Sequence, residues 1–402
     1  MKRSYVVFVS LLLILAVSGC RPKAGQESGV LKAPVLPSDT TENNEEDVFV
    51  FGQAPGGNPD SREAEKPKTY IDYPAVGGAF ELPLAGSTGF AAKRIPIYSE
   101  AGEDSAVLGI LAAGQAFTVL AEEEQWWQVE VSGGTGWVLS VACFINLPDI
   151  IPSMVYNNTN AYSSLFRSSG FEIPNVTGVA LYNARDFNQR LGRDEFIVPV
   201  LYAMAPKIWA AQQAALADGN TVIIYEAFRP HDAHQIVFDN FKALIETNQT
   251  VKEGVTSGWF TVNWFLAPSP YTHQRGTAID ASLGAIYSKE TRTTGDFAYT
   301  FVTEYAEFPM QSAMHELSGA AAVFAQPVNS RSETDWHNAV FSKKATEGTI
   351  LMHRYMTGAG LTPLASEWWH FNDLPNTLVA SEMKVLGRFL TEKTYSRPVV
   401  VR

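Results

Sequence analysis

Two short stretches, far apart in the chain, carry the side chains that could do chemistry. The first runs from Thr272 to Asp280 and places His273 and Asp280 seven residues apart. The second, at positions 367–370, adds Glu367 and His370 in the order Glu-Trp-Trp-His. Two imidazoles and one carboxylate can hold a catalytic zinc ion and leave one coordination position open. Glu367 is then the carboxylate that can act as a general base toward water.

A third stretch, Tyr225 to Pro230, reads Tyr-Glu-Ala-Phe-Arg-Pro and lies where a predicted strand ends and a helix begins. Arg229 at this position can donate hydrogen bonds to an oxyanion as negative charge develops during hydrolysis. Taken alone, its simpler interpretation is a surface arginine in a salt bridge. Between the first two predicted ligands, Gly276 and Ala278 permit a tight turn and a close approach of the backbone.

An α+β framework has to position these side chains. An apolar run before the Arg229 stretch predicts a buried strand, and shorter runs at the two ligand stretches predict two more. Asp232 can cap a helix that follows Arg229. The predicted strands are 221–225, 278–283 and 366–371, and the predicted helices are 201–218, 232–247, 346–357 and 381–393.

A small all-β region is predicted at residues 90–145. Short apolar runs alternate with glycine turns there, and Trp126 to Val131 is followed by a Gly-Gly pair and by Gly-Trp-Val at 136–138. Strands of this length and spacing predict a small barrel. The order resembles a bacterial SH3-type domain, which implies binding of cell-wall peptides. The alternative is a spacer whose aromatic residues only fill a core.

The first residues are typical of a targeting segment. Lys2 and Arg3 precede an apolar run, and small residues then lead to Cys20. The run is shorter than the roughly 20 residues of a membrane-spanning helix. Residues 1–19 resemble a bacterial lipoprotein signal, which implies lipidation of Cys20 and attachment to a membrane. A plain secretory signal or a membrane anchor is the alternative. Residues 20–88 are rich in Pro, Gly, Ser, Asn and Glu and predict a disordered tether.

Composition narrows the function classes. The chain has 402 residues, of which 46% are apolar, and this is enough for more than one packed core. Its formal net charge of -12 argues against a nucleic-acid partner, which would require a basic face. The chain has only two cysteines, Cys20 and Cys143, so a disulfide framework is excluded. Cys143 is predicted to be a small buried residue.

Three motifs carry a resemblance to a known family: Phe-Arg-Pro at 228–230, His-x-x-Gly-x-Ala-x-Asp at 273–280 and Glu-Trp-Trp-His-Phe at 367–371. The region around them resembles the D-alanyl-D-alanine dipeptidases, the VanX-type zinc peptidases, for which the Glu-Trp-Trp-His form is characteristic. The resemblance implies one zinc ion held by His273, Asp280 and His370. It implies Glu367 as the general base and Arg229 as the group that stabilises the tetrahedral intermediate. The implied fold is α+β and is shared with Hedgehog-type domains.

Substrate-binding roles follow from the same resemblance. Tyr156 falls where the family has a tyrosine near the substrate pocket. Tyr271 stands where members commonly have serine, and the stretch 310–315, which ends in His315, lacks the family's carboxylate for the substrate ammonium group. We assign Tyr156, Tyr271 and His315 to substrate binding, with Glu316 as a substitute for that carboxylate. Without a partner the ammonium group is costly to bury, and a longer stem peptide is then expected as substrate.

The combined prediction is a lipid-anchored zinc peptidase of the bacterial cell envelope that hydrolyses a D-Ala-D-Ala bond. The free dipeptide is the first expected substrate, and a carboxypeptidase that trims peptidoglycan stem peptides is the alternative. A catalytically silent wall-binding lipoprotein is a third hypothesis. The predicted parts are a signal (1–19), a tether (20–88), an SH3-type domain (89–146) and a peptidase domain (147–402). Four other histidines lack ligand spacing and are predicted to be structural or exposed: His231, His234, His337 and His353.

Overall fold

The computed structural model describes residues 80–398 apart from Gly133, Ser269 and Glu392. The predicted signal peptide, the predicted lipidation site Cys20 and most of the predicted tether lie outside these residues. The described residues belong to one unit of the chain. No helix among them has the length and apolar character needed to cross a membrane.

An antiparallel sheet occupies the first part of the described chain. It contains β1 (Thr88–Ala91), β2 (Ile95–Tyr98), β3 (Val107–Leu111), β4 (Ala116–Glu123), β5 (Trp126–Val131), β6 (Gly134–Leu139) and β7 (Cys143–Asn146). Strands β2 to β6 fall on the apolar runs that the sequence marks as strands. Phe117 and Trp127 are fully buried within the sheet's core. Cys143 is also buried and its thiol is free, as predicted.

Six further short strands follow. They are β8 (Val155–Tyr156), β9 (Arg167–Ser168), β10 (Phe171–Glu172), β11 (Arg185–Asn188), β12 (Arg193–Phe196) and β13 (Pro199–Leu201). The last of them joins the first sheet, where Val200 pairs with Ile145 of β7. The strand order of that sheet is β13-β7-β1-β4-β5-β6-β2-β3. The path has two open edges within the described chain, so the predicted closed barrel is wrong. The free side of β7 is taken by β13, which extends the sheet.

A second sheet carries the motifs that could do chemistry. Besides β8, it contains β14 (Asn220–Glu226), β15 (Ala278–Thr294), β16 (Phe297–Glu307), β17 (Thr362–Leu364) and β18 (Glu367–Asn372). Its strand order is β17-β18-β15-β14-β8, and β16 pairs with β15. All pairs are antiparallel except β14 with β8. Strand β14 is buried along its whole length, which accounts for the apolar run at its residues 222–225.

Five α-helices complete the α+β architecture of the described residues. They are α1 (Ala205–Ala217), α2 (His231–Thr247), α3 (Gln249–Thr256), α4 (Glu347–Gly358) and α5 (Leu374–Glu382). The predicted helix at 381–393 is wrong, because α5 ends at Glu382. Lys384 and Gly387 both have positive φ angles there, and Gly387 lies against the backbone of Gln274. The last segment is therefore held against the loop that bears His273.

One apolar core links the two sheets. The same cluster of buried residues contains Trp127 of the first sheet and Trp369 of the second. A smaller cluster places Phe144 of β7 beside Phe228, the residue before Arg229. The first sheet therefore packs directly behind the segment that carries Arg229.

Candidate metal site

Three neighbouring strands place acidic and imidazole side chains in one row. Glu226 of β14 is the register partner of Asp280 on β15, and Asp280 is the register partner of His370 on β18. Partners in an antiparallel pair point to the same face of the sheet. Asp280 therefore lies between a carboxylate and an imidazole, near the start of strand β15.

His273 reaches the same point from a short 3-10 turn, residues 273–275, just before β15. Gly276 ends that turn with φ of 66°, a left-handed conformation that glycine adopts without strain. A Cβ atom at Gly276 would lie 2.8 Å from a ring carbon of Phe144. The main chain is fixed on both sides, because Leu201 donates to the Gly276 carbonyl and Arg229 donates to the His273 carbonyl. This confirms the tight turn that the sequence predicts.

The three predicted ligands converge on one point. His273 Nε2 lies 3.2 Å from Asp280 Oδ1 and 3.1 Å from His370 Nδ1. His370 Nδ1 lies 3.0 Å from Asp280 Oδ1. A tetrahedral zinc ion with bonds of about 2.0–2.1 Å keeps its ligand atoms about 3.3–3.4 Å apart. The observed triangle is close to that size, and all three residues are buried.

Hydrogen bonds behind the two imidazoles set which nitrogen faces the triangle. His273 Nδ1–H donates to the carbonyl of Ala227 at 2.6 Å. His370 Nε2–H donates to Asn372 Oδ1 at 2.9 Å. With these bonds made, each imidazole in its neutral form directs the lone pair of its other nitrogen toward Asp280 Oδ1, as a metal ligand must. Burial lowers the pKa of His370, which favours its neutral form. This donor set fits a zinc ion.

The second oxygen of Asp280 is also engaged. Asp280 Oδ2 accepts from Arg229 at 3.2 Å and from His315 Nε2–H at 3.1 Å. Burial works against ionisation of Asp280, but the imidazoles of His273, His315 and His370 outweigh it and hold its pKa well below the usual range. Asp280 is therefore a carboxylate with one oxygen toward the ligand triangle and the other toward supporting donors.

Arg229 is held in place by several groups. Its Nε donates to Glu226 Oε2 at 2.7 Å, and its terminal nitrogen forms a second, shorter contact with the same carboxylate. The guanidinium lies over the ring of Phe166, 4.9 Å from the centroid. Burial alone would lower its pKa, but Glu226 and Asp280 raise it, so Arg229 stays a cation. The salt bridge is present, as the simpler interpretation predicts, but it is buried and adjoins the ligand triangle.

Sequence reasoning did not find the support that His234 gives to Arg229. His234 Nε2–H donates to the Ala267 carbonyl at 2.9 Å, so its Nδ1 is an acceptor 3.5 Å from Arg229 Nη1. Burial and the charge of Arg229 lower the pKa of His234 to about 3. The sequence feature that could have indicated this contact is the position of His234 on the first turn of α2, five residues after Arg229. At that spacing the imidazole can turn back toward the arginine.

Glu367 lies next to the ligand triangle without belonging to it. Its Oε2 is 3.9 Å from His370 Nδ1. Burial and the nearby Asp280 carboxylate raise the pKa of Glu367 well above its usual range, and the charge of Arg229 works in the opposite direction. In its ionised form, Glu367 at this position can accept a proton from a water molecule held beside the triangle.

These groups face one cavity of about 440 Å³. Its wall includes Arg229, Tyr271, the three predicted ligands and Glu367, together with His234 and Trp369. Its volume falls within the roughly 300–1,000 Å³ range of small-molecule sites. The structure therefore brings together the predicted metal ligands, the predicted base, the predicted oxyanion donor and one of the three predicted substrate contacts.

Two other predicted substrate residues lie elsewhere. Tyr156 is buried beyond the cavity wall, and its hydroxyl donates to the carbonyl of Ile151 at 2.8 Å. His315 is fully buried behind Asp280, stacks on Phe166 and has a positive φ of 58°. Glu316 accepts from the backbone of Ser169 and Gly170 and is also outside the cavity wall. The structure places His315 as a support for Asp280.

A second group of potential ligands shares Asp280. It consists of Glu226, Asp280 and His315, whose donor atoms lie within 4.8 Å of one another. The guanidinium of Arg229 contacts both carboxylates of this group. A cation is therefore already present there, and the first triangle is the better metal site.

Comparison with protein-family models matches one segment of the chain. The bacterial SH3 domain family matches residues 93–142, which begin just before β2 and end just before β7. No curated protein matches the chain. The likeness to a bacterial SH3 domain is therefore shown for this segment, and the function of the remaining residues has to be argued from the site itself.

Proposed function

We propose that this protein is a zinc-dependent peptidase of the bacterial cell envelope that hydrolyses the bond between two D-alanine residues. The observation that supports this most strongly is the triangle of His273, Asp280 and His370 atoms, 3.0–3.2 Å apart. The triangle shares one cavity with Glu367 and Arg229. The preference for D-alanine rests on the resemblance of the three sequence motifs to the D-alanyl-D-alanine dipeptidases.

The proposed catalytic role of each group follows from its position in the cavity. His273, Asp280 and His370 would hold the zinc ion, which when bound supplies Lewis-acid polarisation of water and of the scissile carbonyl. Glu367 takes a proton from the attacking water and delivers it to the leaving amine. Its burial keeps bulk water from competing for that proton.

Arg229 stabilises the negative charge that develops on the carbonyl oxygen. Its Nε and one terminal nitrogen are engaged by Glu226 and Asp280. Among the described residues, the other terminal nitrogen, Nη1, has only the long contact of 3.5 Å with His234. Since Arg229 lines the cavity, this nitrogen is the one available to an oxyanion. A donor fixed before the reaction lowers the barrier without having to reorganise.

Peptide length separates two candidate functions. The first is hydrolysis of free D-Ala-D-Ala, and the second is a D,D- or L,D-carboxypeptidase that trims peptidoglycan stem peptides. Among the described residues that line the cavity, the only carboxylates are Asp280 and Glu367. Both already have roles, so neither is left to bind the ammonium group of a free dipeptide. This favours a substrate whose amino end is acylated and lies farther from the zinc.

The N-terminal part supports a place at the cell wall. The match to a bacterial SH3 domain at residues 93–142 is consistent with binding of wall peptides. We propose that Cys20 carries a lipid anchor and that the sheet of β1 to β7 holds the enzyme near its substrate. Assembly of Glu367, Arg229 and the ligand triangle around one cavity speaks against a catalytically silent wall-binding protein, in which such a set would have no use.

The test uses the purified, zinc-loaded protein with free D-Ala-D-Ala and, separately, with a stem pentapeptide that ends in D-Ala-D-Ala. Mass spectrometry of the products should show release of D-alanine. The variant Glu367→Gln should retain zinc but lose hydrolysis about 10²–10⁴-fold, the usual contribution of a general base. If the zinc-loaded protein cleaves neither substrate, or if the variant is as active as the parent, the proposal is wrong.

A further inference from the structure

A second cavity of about 380 Å³ adjoins the one that holds the proposed zinc site. Tyr271 and Arg331 belong to the walls of both cavities, so these two side chains stand at the boundary between them. The remaining wall of the second cavity comes from the His273 loop and from α5, with Leu374 and Leu378 as its apolar part. A ligand that leaves the first cavity past Tyr271 would enter the second.

The second cavity carries an excess of positive charge. Arg275 and Arg331 line it, and Glu333 is the one acidic residue among its described lining residues. Arg275 donates to Ser381 Oγ at 3.2 Å, but its buried Nε has no hydrogen-bond partner in the described part of the chain. For Arg331, the structure gives no ion pair with any described carboxylate. Arg331 therefore keeps donor capacity at this place, and Arg275, whose Nε is buried, adds a second positive charge.

We propose that this second cavity is a subsite for a carboxylate of a longer, acidic peptide whose scissile bond lies in the first cavity. The assignment rests on the proposed peptidase function and adds the class of substrate: an N-acylated peptide with an acidic residue beyond the cleaved pair. Arginine presents several donors in a plane and matches the two oxygens of a carboxylate. A free dipeptide would leave these donors unused.

The size of the effect follows from the exposure of the two arginines. Arg331 is exposed and Arg275 is half-buried, so water and salt screen part of the attraction. We expect an acidic peptide to be preferred over a neutral one of the same shape by about three- to tenfold.

The experiment compares two peptides, N-acetyl-Glu-D-Ala-D-Ala and N-acetyl-Gln-D-Ala-D-Ala, which differ only in the carboxylate. We measure kcat/KM for both with the full-length zinc-loaded protein, and the dissociation constants of both with the Glu367→Gln variant by calorimetry. The acidic peptide should be preferred in both measurements. The variant Arg331→Gln should remove most of this preference, and Glu333→Gln should increase it, because an opposing charge is lost.

A matched control is Arg94→Gln, which changes an exposed arginine of the first sheet region in the same way and should leave the preference unchanged. Equal binding of the two peptides, or a preference that persists in Arg331→Gln, would overturn the subsite. If the acidic peptide binds better and neither peptide is cleaved, the subsite stands and the proposed peptidase function fails. If both are cleaved at equal rates with equal affinity, the peptidase function stands and the subsite fails.

Discussion

Asn372 offers a sharp test of the metal site, because its side chain hydrogen-bonds the far side of a predicted ligand, His370. Its Oδ1 accepts the Nε2–H of His370 at 2.9 Å. This bond keeps the proton on Nε2 and leaves the Nδ1 lone pair for the metal. Replacing Asn372 by leucine preserves most of the volume and removes the acceptor. The His370 ring can then rotate, or carry its proton on the nitrogen that should bind zinc.

The expected loss can be worked from the site. Asn372 is buried, with 3% of its surface exposed, so water cannot easily take over its role. Loss of such a supporting partner weakens metal binding about 10- to 100-fold, which corresponds to about 1.4–2.7 kcal/mol. The Ala227 carbonyl still orients His273, so the other imidazole ligand should be unaffected.

Zinc affinity is measured by competition with a chromogenic chelator for the parent and for Asn372→Leu. The variant Asn372→Asp is the matched control: it keeps an acceptor at the same place and should bind zinc at least as well as the parent. Thermal unfolding of the metal-free proteins checks that both variants fold. Unchanged zinc affinity in a folded Asn372→Leu protein would refute the assignment of His370 Nδ1 as a ligand atom.

Three further predictions concern other parts of the structure. Arg229→Lys should keep the buried positive charge and zinc binding but lower kcat about 10²-fold, since the fixed oxyanion donor is lost; a normal kcat in this variant would exclude that role. Burial lowers the pKa of His353 from 6.5 to about 4. Between pH 6.5 and 4 the unfolded chain therefore binds a proton that the folded protein does not, and the free energy of unfolding falls by about 3 kcal/mol over that range. In urea unfolding, His353→Leu should lose less stability than the parent protein over that pH range. The same loss in both proteins would show that His353 is not its source. Lys207 pairs with the buried Asp373 at 2.8 Å. Lys207→Met leaves that carboxylate unpaired and should lower the free energy of unfolding by about 3–5 kcal/mol. The double variant Lys207→Met, Asp373→Asn should lose clearly less, and equal losses in the two variants would contradict this account.

The assembly of the site could be predicted to a large extent from sequence. His273, Asp280, Glu367 and His370 are recognisable because a zinc site needs particular donors at permissive spacings. Gly276 is recognisable because a tight turn needs a residue that tolerates positive φ. The structure brings these four groups to one cavity, while their chemical roles remain predictions. The buried strand β14 was also predictable, since its central residues 222–225 form an apolar run that can be covered on both faces.

Other features depend on contacts that a single sequence does not reveal. Strand β15 continues to Thr294, well beyond the predicted end at 283, because β16 pairs with its polar, exposed half. His234 and His315 support Arg229 and Asp280 through side-chain contacts between distant segments, with no local motif to mark them. The supposed helix at 381–393 has helical composition, but packing of Gly387 against Gln274 fixes an irregular path.

Strand β13 carries a practical consequence for anyone who wishes to dissect the protein. It pairs with β7 through Val200 and Ile145, and Leu201 at its end donates to the carbonyl of Gly276, while Phe144 fills the space beneath that glycine. A truncated version starting at residue 147 would leave one edge of β13 unpaired and would remove the Phe144 ring that packs against the turn containing His273. The SH3-like segment is therefore part of the support for the candidate site, and any shortened version made for expression should keep both parts together.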